Sequence, residues 1–266
     1  IEEVLGLSQA IYDTKNALNG EQRLATEKSK DLKLIKGLKD LNKAQLEDVT
    51  NKVNSANTLT ELSQLTQSTL ELNDKMKLLR DKLKTLVNPV KASLNYRNAD
   101  YNLKRQFNKA LKEAKGVLNK NSGTNVNIND IQHLLTQIDN AKDQLNGERR
   151  LKEHQQKSEV FIIKELDILN NAQKAAIINQ IRASKDIKII NQIVDNAIEL
   201  NDAMQGLKEH VAQLTATTKD NIEYLNADED HKLQYDYAIN LANNVLDKEN
   251  GTNKDANIII GMIQNM

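Results

Sequence analysis

Four histidines are the residues of this chain whose chemistry best suits metal binding or proton transfer. They are His133, His154, His210 and His231. Such chemistry requires several partners that converge on one point. The chain contains two copies of one repeat, and the equivalent positions in the other copy are Gly6, a position near Thr26 or Glu27, Lys82 and Leu103. Because a site built on these histidines would be absent from half of the repeats, we interpret all four as surface residues.

A short acidic cluster at 228–230 is the second candidate, since neighbouring carboxylates can hold calcium. The cluster lacks the loop glycine and the distal glutamate of an EF-hand. Asp100 stands alone at the position equivalent to Asp228, and an acidic residue at a helix N-terminus stabilises the helix dipole. We therefore interpret the recurring Asn-Ala-Asp element, at 98–100 and 226–228, as a helix cap with its loop.

Gly-Thr-Asn triplets at 123–125 and 251–253 lack the lysine and the second glycine of a phosphate-binding loop, so Gly123 and Gly251 are predicted to end helices. No Ser-His-Asp set or carboxylate pair recurs in both copies. The chain has no Trp and two Phe, which argues against a deep small-molecule pocket. The sequence thus predicts no enzyme and no cofactor. It assigns no catalytic or metal-binding residue, and the ligand-binding residues stay unknown.

Composition indicates what kind of fold must carry these residues. Among 266 residues there is one proline, 39% are hydrophobic and 3% are aromatic, which suits helices with narrow apolar stripes in thin bundles. The 37 basic and 37 acidic side chains balance, so no net field attracts nucleic acid. The absence of cysteine excludes disulfides. No apolar run of membrane-spanning length is present, so export or anchoring signals are expected outside this fragment.

Internal duplication is the most informative feature of the sequence. The matching segments are LNGEQRL at 18–24 and LNGERRL at 145–151, LNKAQ at 41–45 and LNNAQ at 169–173, and ELNDKM at 71–76 and ELNDAM at 199–204. The first pair is 127 residues apart and the other two are 128 apart. One residue has therefore been gained between Leu151 and Leu169, and the end of a helix is where a loop would absorb it.

Periodicity predicts the helices of one repeat. Apolar residues recur at three- and four-residue steps from 129 to 146 and again from 151 to 169. Since one glycine in a helix costs only about 1 kcal/mol, a single long helix over 129–168 is predicted. Asn42 and Asn170, each with a Gln at the third helical position, predict the N-caps of a short helix. A second long helix follows Thr58 and Asp186, and another short helix covers 107–118 and 235–246.

The predicted fold is all-α, with four helices in each repeat. Because each long helix serves two neighbouring clusters, the simplest packing is a row of tandem three-helix bundles that share long helices end to end in an elongated, monomeric rod. Residues 1–20 would then be the third helix of a bundle whose other helices are not in this fragment. The apolar stripe of that helix, Val4, Leu7, Ile11 and Leu18, is expected to find no partner within the chain.

Two groups of motifs resemble known bacterial modules. Tyr-Arg-Asn-Ala-Asp at 96–100, the stripe at 107–118, Gly123 and Leu-Asn-Gly at 145–147 resemble the FIVAR module, as do their copies at 224–251. The segments 41–76 and 169–204 are similar to the GA module of albumin-binding surface proteins. The alternation of the two resembles the repeat region of giant staphylococcal matrix-binding surface proteins. The resemblance implies a first FIVAR-like bundle ending at 1–20, GA-like bundles at 21–84 and 148–212, and FIVAR-like bundles at 85–147 and 213–266.

What the resemblance implies for function is a bacterial cell-surface adhesin, located outside the cell, whose repeats bind host matrix proteins such as fibronectin through many weak contacts. Albumin is an alternative ligand because of the GA likeness. A purely structural scaffold of the spectrin type is a further alternative, although spectrin repeats run near 106 residues and carry a buried tryptophan. No nucleic-acid partner and no membrane insertion by this fragment are expected.

Overall fold

The computed structural model describes residues 2–265, and its regular structure in that range is entirely α-helical. The helices of the first half are α1 (Glu2–Asn16), α2 (Gly20–Lys36), α3 (Lys43–Ser55), α4 (Leu59–Ala92), α5 (Leu94–Arg97) and α6 (Tyr101–Val117). Those of the second half are α7 (Ile128–Asp143), α8 (Gly147–Lys164), α9 (Asn171–Ala183), α10 (Ile187–Thr217), α11 (Ile222–Asn226), α12 (Glu229–Leu246) and α13 (Ala256–Gln264). The chain divides into two compact units.

The first unit comprises the chain up to Ala92 together with Tyr101–Leu145. Its long helix α4 serves two bundles, because α2 and α3 pack on it and α7, which also packs against α6, lies along its later part. Lys75 contacts Gln132 at 3.2 Å and Lys82 contacts Asp139 at 2.5 Å, so α4 and α7 run in the same direction. The α2–α3–α4 bundle has a core of Ile35, Val49, Val53, Ala56 and Leu62.

The second unit comprises Ser93–Asp100 together with the chain from Asn146 onward. Here α10 is the shared helix, and α8, α9, α12 and α13 all pack on it. Its inward positions Met204 and Leu207 are fully buried, as are Met76 and Leu79 at the equivalent positions of α4. The all-α fold with a shared long helix in each unit is thereby confirmed.

The predicted single helix over 129–168 is wrong. The structure has two helices there, α7 and α8, separated at 144–146, and the same break separates α1 from α2. The two breaks share a non-helical backbone at the asparagine before the glycine, with φ and ψ of −112° and 19° at Asn19 and of −122° and 14° at Asn146. In the second copy the break also admits a close backbone approach, since a Cβ atom on Gly147 would lie 2.3 Å from the Asn95 carbonyl oxygen and 2.6 Å from the Ala99 nitrogen. This glycine is the first residue of α8, so it does not lie in a helix interior.

The prediction that Gly123 and Gly251 end helices is also wrong. Helix α6 ends at Val117 and α12 ends at Leu246, several residues earlier. Each glycine instead lies where the following loop crosses a buried asparagine, so that a Cβ atom would come within 2.6 Å of the side-chain nitrogen of Asn42 or Asn170. The count of four helices per repeat is likewise corrected to six, because the long helix is divided and the Asn-Ala-Asp loop contains a one-turn helix.

The residue gained in the second copy lies at the end of α8. Ile35 and Ile162 are 127 residues apart, whereas Leu38 and Leu166 are 128 apart. Helix α8 has 18 residues and α2 has 17. The extra residue therefore lies at the end of a helix, as predicted, but it lengthens the last turn of α8 and not the loop, since the loops 37–42 and 165–170 are equally long. The elements downstream keep their register.

Helix α1 carries the apolar stripe that the sequence leaves without a partner. Val4, Leu7, Ile11 and Leu18 are each between 63% and 78% exposed. At the equivalent positions of the intact copy, Ile131 and Ile138 are fully buried and Leu145 is 6% exposed. The expectation that this stripe is not buried within the chain is confirmed.

Candidate module joint and binding surface

The four histidines lie apart from one another on exposed or half-buried positions of α7, α8, α10 and α12. His154 contacts Asn191 at 2.6 Å, His133 contacts Gln137 at 3.0 Å, and His231 is 3.7 Å from Asp228. Within residues 2–265, no group of three or more His, Cys, Asp or Glu side chains is arranged to hold a metal ion.

The acidic cluster begins helix α12, where the sequence analysis assigned it. Asp228 is the N-cap residue, and Glu229 and Asp230 occupy the first turn. All three are exposed. Carboxylates at this end interact favourably with the helix dipole, which is sufficient reason for their position.

Each unit contains one buried cluster of side-chain amides, which we name the amide knot. In the first unit it consists of Asn42 and Gln45, both fully buried. Each side chain accepts a hydrogen bond from the backbone N–H of the other residue, which completes the predicted capping box of α3. The Asn42 amide also donates to the carbonyl oxygens of Val117 and Thr124, at 3.0 and 2.9 Å, and Gln45 donates to Val126 at 3.0 Å. The knot therefore fastens α3 to the loop after α6.

The knot of the second unit repeats these bonds with Asn170 and Gln173. Asn170 donates to the carbonyl oxygens of Val245 and Thr252, both at 3.0 Å, and Gln173 donates to Lys254 at 3.1 Å. Sequence reasoning identified the caps but missed these cross-links. The available signal was the type of residue: a Ser or Thr would cap the helix as well, but only a side-chain amide has two further N–H donors.

In each unit a lysine side chain donates hydrogen bonds to backbone carbonyl oxygens just after the helix that precedes the amide knot, α2 or α8. The Lys120 ammonium group donates to the carbonyl oxygens of Lys39 and Leu41, which follow α2, and Lys248 donates to that of Asp167, which follows α8. Burial lowers the pKa of both lysines, because partial removal from water disfavours the charged ammonium form. The two lysines are equivalent in the repeat, so this contact belongs to the common framework.

The Asn-Ala-Asp element of the first copy forms a second buried contact, which we name the module joint: residues 93–100 packed on the start of α8 and on the 184–187 loop. Asn98 is 4% exposed. Its side-chain nitrogen donates to the Lys185 carbonyl oxygen at 3.1 Å, and its side-chain oxygen accepts the Ile187 N–H at 3.0 Å. The element is thus more than the cap and loop that the sequence predicted.

Charged groups complete the module joint around Asp100. The Asp100 carboxylate accepts hydrogen bonds from the Asn146 side chain at 2.6 Å and is paired with the Arg150 guanidinium at 3.0 Å. The Asp100 N–H donates to the Asn146 side-chain oxygen at 3.1 Å, and Arg150 also donates to the Asn98 carbonyl oxygen at 2.8 Å. Because these partners lie 46 to 52 positions apart in the sequence, local patterns could not reveal them.

The outer surface differs between the copies. Beside the first amide knot lies an open groove of about 640 Å³ whose apolar lining is Leu38, Leu41 and Leu46. At the position of Leu46 the second copy has Lys174, which donates to the Ile163 carbonyl oxygen.

Among the described residues, no helix combines the length and the apolar character that a membrane-spanning segment needs.

Comparison with known proteins explains the repeated framework. The FIVAR domain model matches residues 75–146 and 203–266, and the GA module model matches 21–75 and 148–203. The chain is 34% identical over 240 residues to the extracellular matrix-binding protein ebh of Staphylococcus aureus strain MRSA252, a match that covers 90% of this chain and 2% of that protein. It is 34% identical over 251 residues to EbhA of strain Newman, covering 94% of this chain and 7% of that protein.

A solved structure supports the same relationship. The crystal structure of the 756–1003 domain of EbhA from Staphylococcus aureus matches with a TM-score of 0.66 and 25% identity, over 71% of this chain and 76% of that one. The present chain spans only 2% of the length of ebh from strain MRSA252 and 7% of the length of EbhA from strain Newman. With matched FIVAR domains over more than half of its residues and GA modules between them, the chain belongs to the FIVAR domain family.

Proposed function

We propose that this chain is a stalk segment of a bacterial cell-surface adhesin, outside the cell, and that its repeats bind host extracellular matrix through many weak contacts. The observation that carries the proposal is the buried framework that both copies repeat, because a repeated fold can present the same weak contact many times along an array. Both amide knots have the same bonds, and individual outer residues differ, as Leu46 and Lys174 do. Relatives that are 34% identical over 90% or more of this chain are named extracellular matrix-binding proteins.

The surface favours distributed rather than concentrated binding. Protein interfaces of high affinity depend on clustered Trp, Tyr and Arg side chains, and this chain has no Trp and 6 Tyr in 266 residues. Linking weak sites raises overall affinity by roughly 10²–10⁴ without new contacts. The biochemical unit is therefore the array, and a two-repeat piece is one weak part of it.

Fibronectin is the first ligand to test. Surface plasmon resonance should give a Kd weaker than about 10 μM for this chain and a Kd at least roughly 100-fold tighter for a tandem array of four or more such chains. Nanomolar affinity of the single chain would contradict distributed binding. Equal affinity of chain and array would contradict multivalency, and no binding by the array would favour a purely structural scaffold.

Albumin is a second candidate ligand, favoured by the GA matches and by the Leu38–Leu41–Leu46 groove of the first GA module. Albumin binding at this groove should be lost in Leu46→Lys, which introduces the residue of the second copy. Lys174→Leu, in the second GA module, is the matched variant and should leave that binding intact. Loss of albumin binding in Lys174→Leu, or its persistence in Leu46→Lys, would exclude the groove as the site.

The module limits are part of the proposal. We propose a preceding FIVAR-like bundle ending at 1–20, GA-like bundles at 21–84 and 148–212, and FIVAR-like bundles at 85–147 and 213–266. The family models place the GA-to-FIVAR transitions at 75 and 203, about ten residues earlier, but still within α4 and α10. Hydrogen exchange along α4 should show whether its protection changes once, near 84, or is uniform.

A further inference from the structure

Asparagine followed by glycine occurs three times in this chain, at Asn19–Gly20, Asn146–Gly147 and Asn250–Gly251. In such a pair the backbone nitrogen of the glycine can attack the side-chain carbonyl carbon of the asparagine. A new C–N bond then forms, the bond to the side-chain nitrogen breaks, and ammonia leaves. Water opens the resulting cyclic imide to aspartate or isoaspartate. Glycine permits the attack because it has no Cβ atom to hinder the approach.

In one of the three pairs, the glycine nitrogen that would attack already donates a hydrogen bond. The Gly251 N–H donates to the Asp247 carbonyl oxygen at 3.0 Å, and Gly251 is buried. Gly20 and Gly147 are instead the first residues of α2 and α8. The N–H groups of a first helical turn have no acceptor within their own helix.

Asn19 and Asn146 form a matched pair. Their backbone angles are almost the same, with φ and ψ of −112° and 19° for Asn19 and of −122° and 14° for Asn146, and neither side chain caps its helix. Asn19 and Gly20 are exposed. The side-chain amide of Asn146 is held at both ends by Asp100, which accepts from its nitrogen at 2.6 Å and donates to its oxygen at 3.1 Å. The difference between the two pairs is the module joint.

We propose that the module joint protects Asn146–Gly147 from spontaneous deamidation, and that Asn19–Gly20, which has no such contact in this chain, serves as the unprotected reference pair. The joint acts in two ways. It prevents the Asn146 side chain from rotating toward the Gly147 nitrogen, and it holds the nitrogen that must leave as ammonia. If the joint opens long enough for Asn146 to react, the product places a carboxylate against the Asp100 carboxylate. Like charges at this distance repel, so the joint cannot close again in its original form.

The test is incubation of the whole chain at mildly alkaline pH and physiological temperature, with peptide mapping by mass spectrometry over time. Asn19 should convert at least about tenfold faster than Asn146, because reaction at Asn146 requires local opening. Asn250 should also be slow. In urea, where the joint is unfolded, the three rates should converge.

Variants separate protection by the joint from other causes. Asp100→Ala and Arg150→Ala should each raise the rate at Asn146 toward that at Asn19 and leave Asn19 unchanged, whereas Arg149→Ala, on the exposed face of the same helix, should change neither rate. Gly20→Ala should slow Asn19. Equal rates for Asn19 and Asn146 in the native chain would overturn the proposal, as would failure of Asn19 to convert while the urea-unfolded chain does.

A second readout tests the consequence for the joint. Asn146→Asp mimics the product, and it should accelerate hydrogen exchange of the Ile187 amide, whose N–H donates to Asn98 within the joint. Asn19→Asp should leave that amide unchanged. An Ile187 amide equally protected in Asn146→Asp would show that deamidation does not block the joint.

Discussion

The amide knot and the Asn-Ala-Asp element are both present twice, but only the knot has the same contacts in both copies. Asn42 and Asn170 are fully buried and make equivalent hydrogen bonds. Asn98 is buried within the module joint, whereas its equivalent Asn226 is exposed and bonds only locally, to the Ile222 carbonyl oxygen. The difference follows from where the partners come from.

The partners of the knot lie within its own GA and FIVAR pair, while the partners of Asn98 lie in the GA module that comes next in the chain. Apolar neighbours show the same contrast. Leu94 packs against the core of the second unit, and its equivalent Ile222 is 76% exposed. A repeated residue with unequal burial therefore marks a contact that depends on the neighbouring repeat.

The largest expected effect is in the knot. Asn170→Ala removes a helix cap and leaves the Val245 carbonyl oxygen, which is buried, and the Thr252 carbonyl oxygen, which is partly buried, without their donor. This should destabilise the second unit by roughly 2–4 kcal/mol. Asn42→Ala should destabilise the first unit by a similar amount. Hydrogen exchange of α3 and α9 amides in urea measures both, with the exposed Asn51→Ala and Asn179→Ala as controls. Unequal losses would show that the two knots are not equivalent.

Alanine substitutions of the glycines after the two helix breaks should have different effects on stability. Gly147→Ala places a Cβ atom within 2.7 Å of three backbone atoms of residues 94–99, which should weaken the joint by about 2–3 kcal/mol. Gly20→Ala meets nothing within 4 Å and should be neutral or stabilising by up to about 1 kcal/mol. Ile187 amide exchange and thermal unfolding report the two effects. A tolerated Gly147→Ala would mean that the joint is loosely packed.

The charged part of the joint should contribute less. Arg150→Ala removes the Asp100 pair and the hydrogen bond to the Asn98 carbonyl oxygen, and both charged partners are partly exposed, so a loss of about 1 kcal/mol is expected. Arg149→Ala breaks only the exposed pair with Glu153 and should change stability by less than about 0.5 kcal/mol. Arg23→Ala, at the equivalent of Arg150, should leave Ile187 amide exchange unchanged. An effect of Arg23→Ala on that amide would contradict the assignment of the joint to Arg150.

The smallest effect concerns pH, and it is confined to the second copy. A hydrogen bond from Lys219 holds the pKa of Asp236 below its ordinary value, and Tyr224 also donates to this carboxylate. The contribution of a carboxyl group with a depressed pKa is present above its unfolded pKa of about 3.9 and is lost as pH falls through the folded value. The equivalent position in the first copy is Asn108.

NMR titration should therefore show a ring-shift transition at Tyr224 below pH about 4. Asp236→Asn should abolish it. No such transition is expected at Tyr96, the equivalent tyrosine in the first copy. A titration of Tyr96 in the same range would show that the difference between the copies does not come from Asp236.

The helices and their caps could be predicted because their causes are local. The stripe of α6 and the capping boxes of α3 and α9 depend on residues three or four positions apart, and these elements appear where the sequence indicates. The break before Gly147 could not be predicted. One glycine alone does not end a helix, and the same break occurs before Gly20, where no other residue approaches the glycine, so neither the glycine nor a distant contact accounts for it.

The module joint was missed because its partners lie at least 46 positions apart in the sequence. Asn98 and Asp100 have the local pattern of a cap and loop, and the sequence assigned them that role. Their buried partners, Lys185, Ile187 and Arg150, become visible only when the chain is folded. The sequence signal that remained was the recurrence of Asn-Gly with an arginine three residues later, at Arg23 and Arg150, in both copies.

Residues 93–100 lie inside the first FIVAR match, yet they belong to the second compact unit, with the GA module that follows. The boundaries of the family domain and of the compact unit therefore differ. A genetic exchange at a domain edge would join each half of the joint to a foreign partner. An exchange displaced by one whole repeat instead reunites Asp100 or Asp228 with Arg23 or Arg150, which are the same residue types in both copies. Recombination in whole repeats would therefore keep the paired residue types of the joint together, whereas recombination at a domain edge would not.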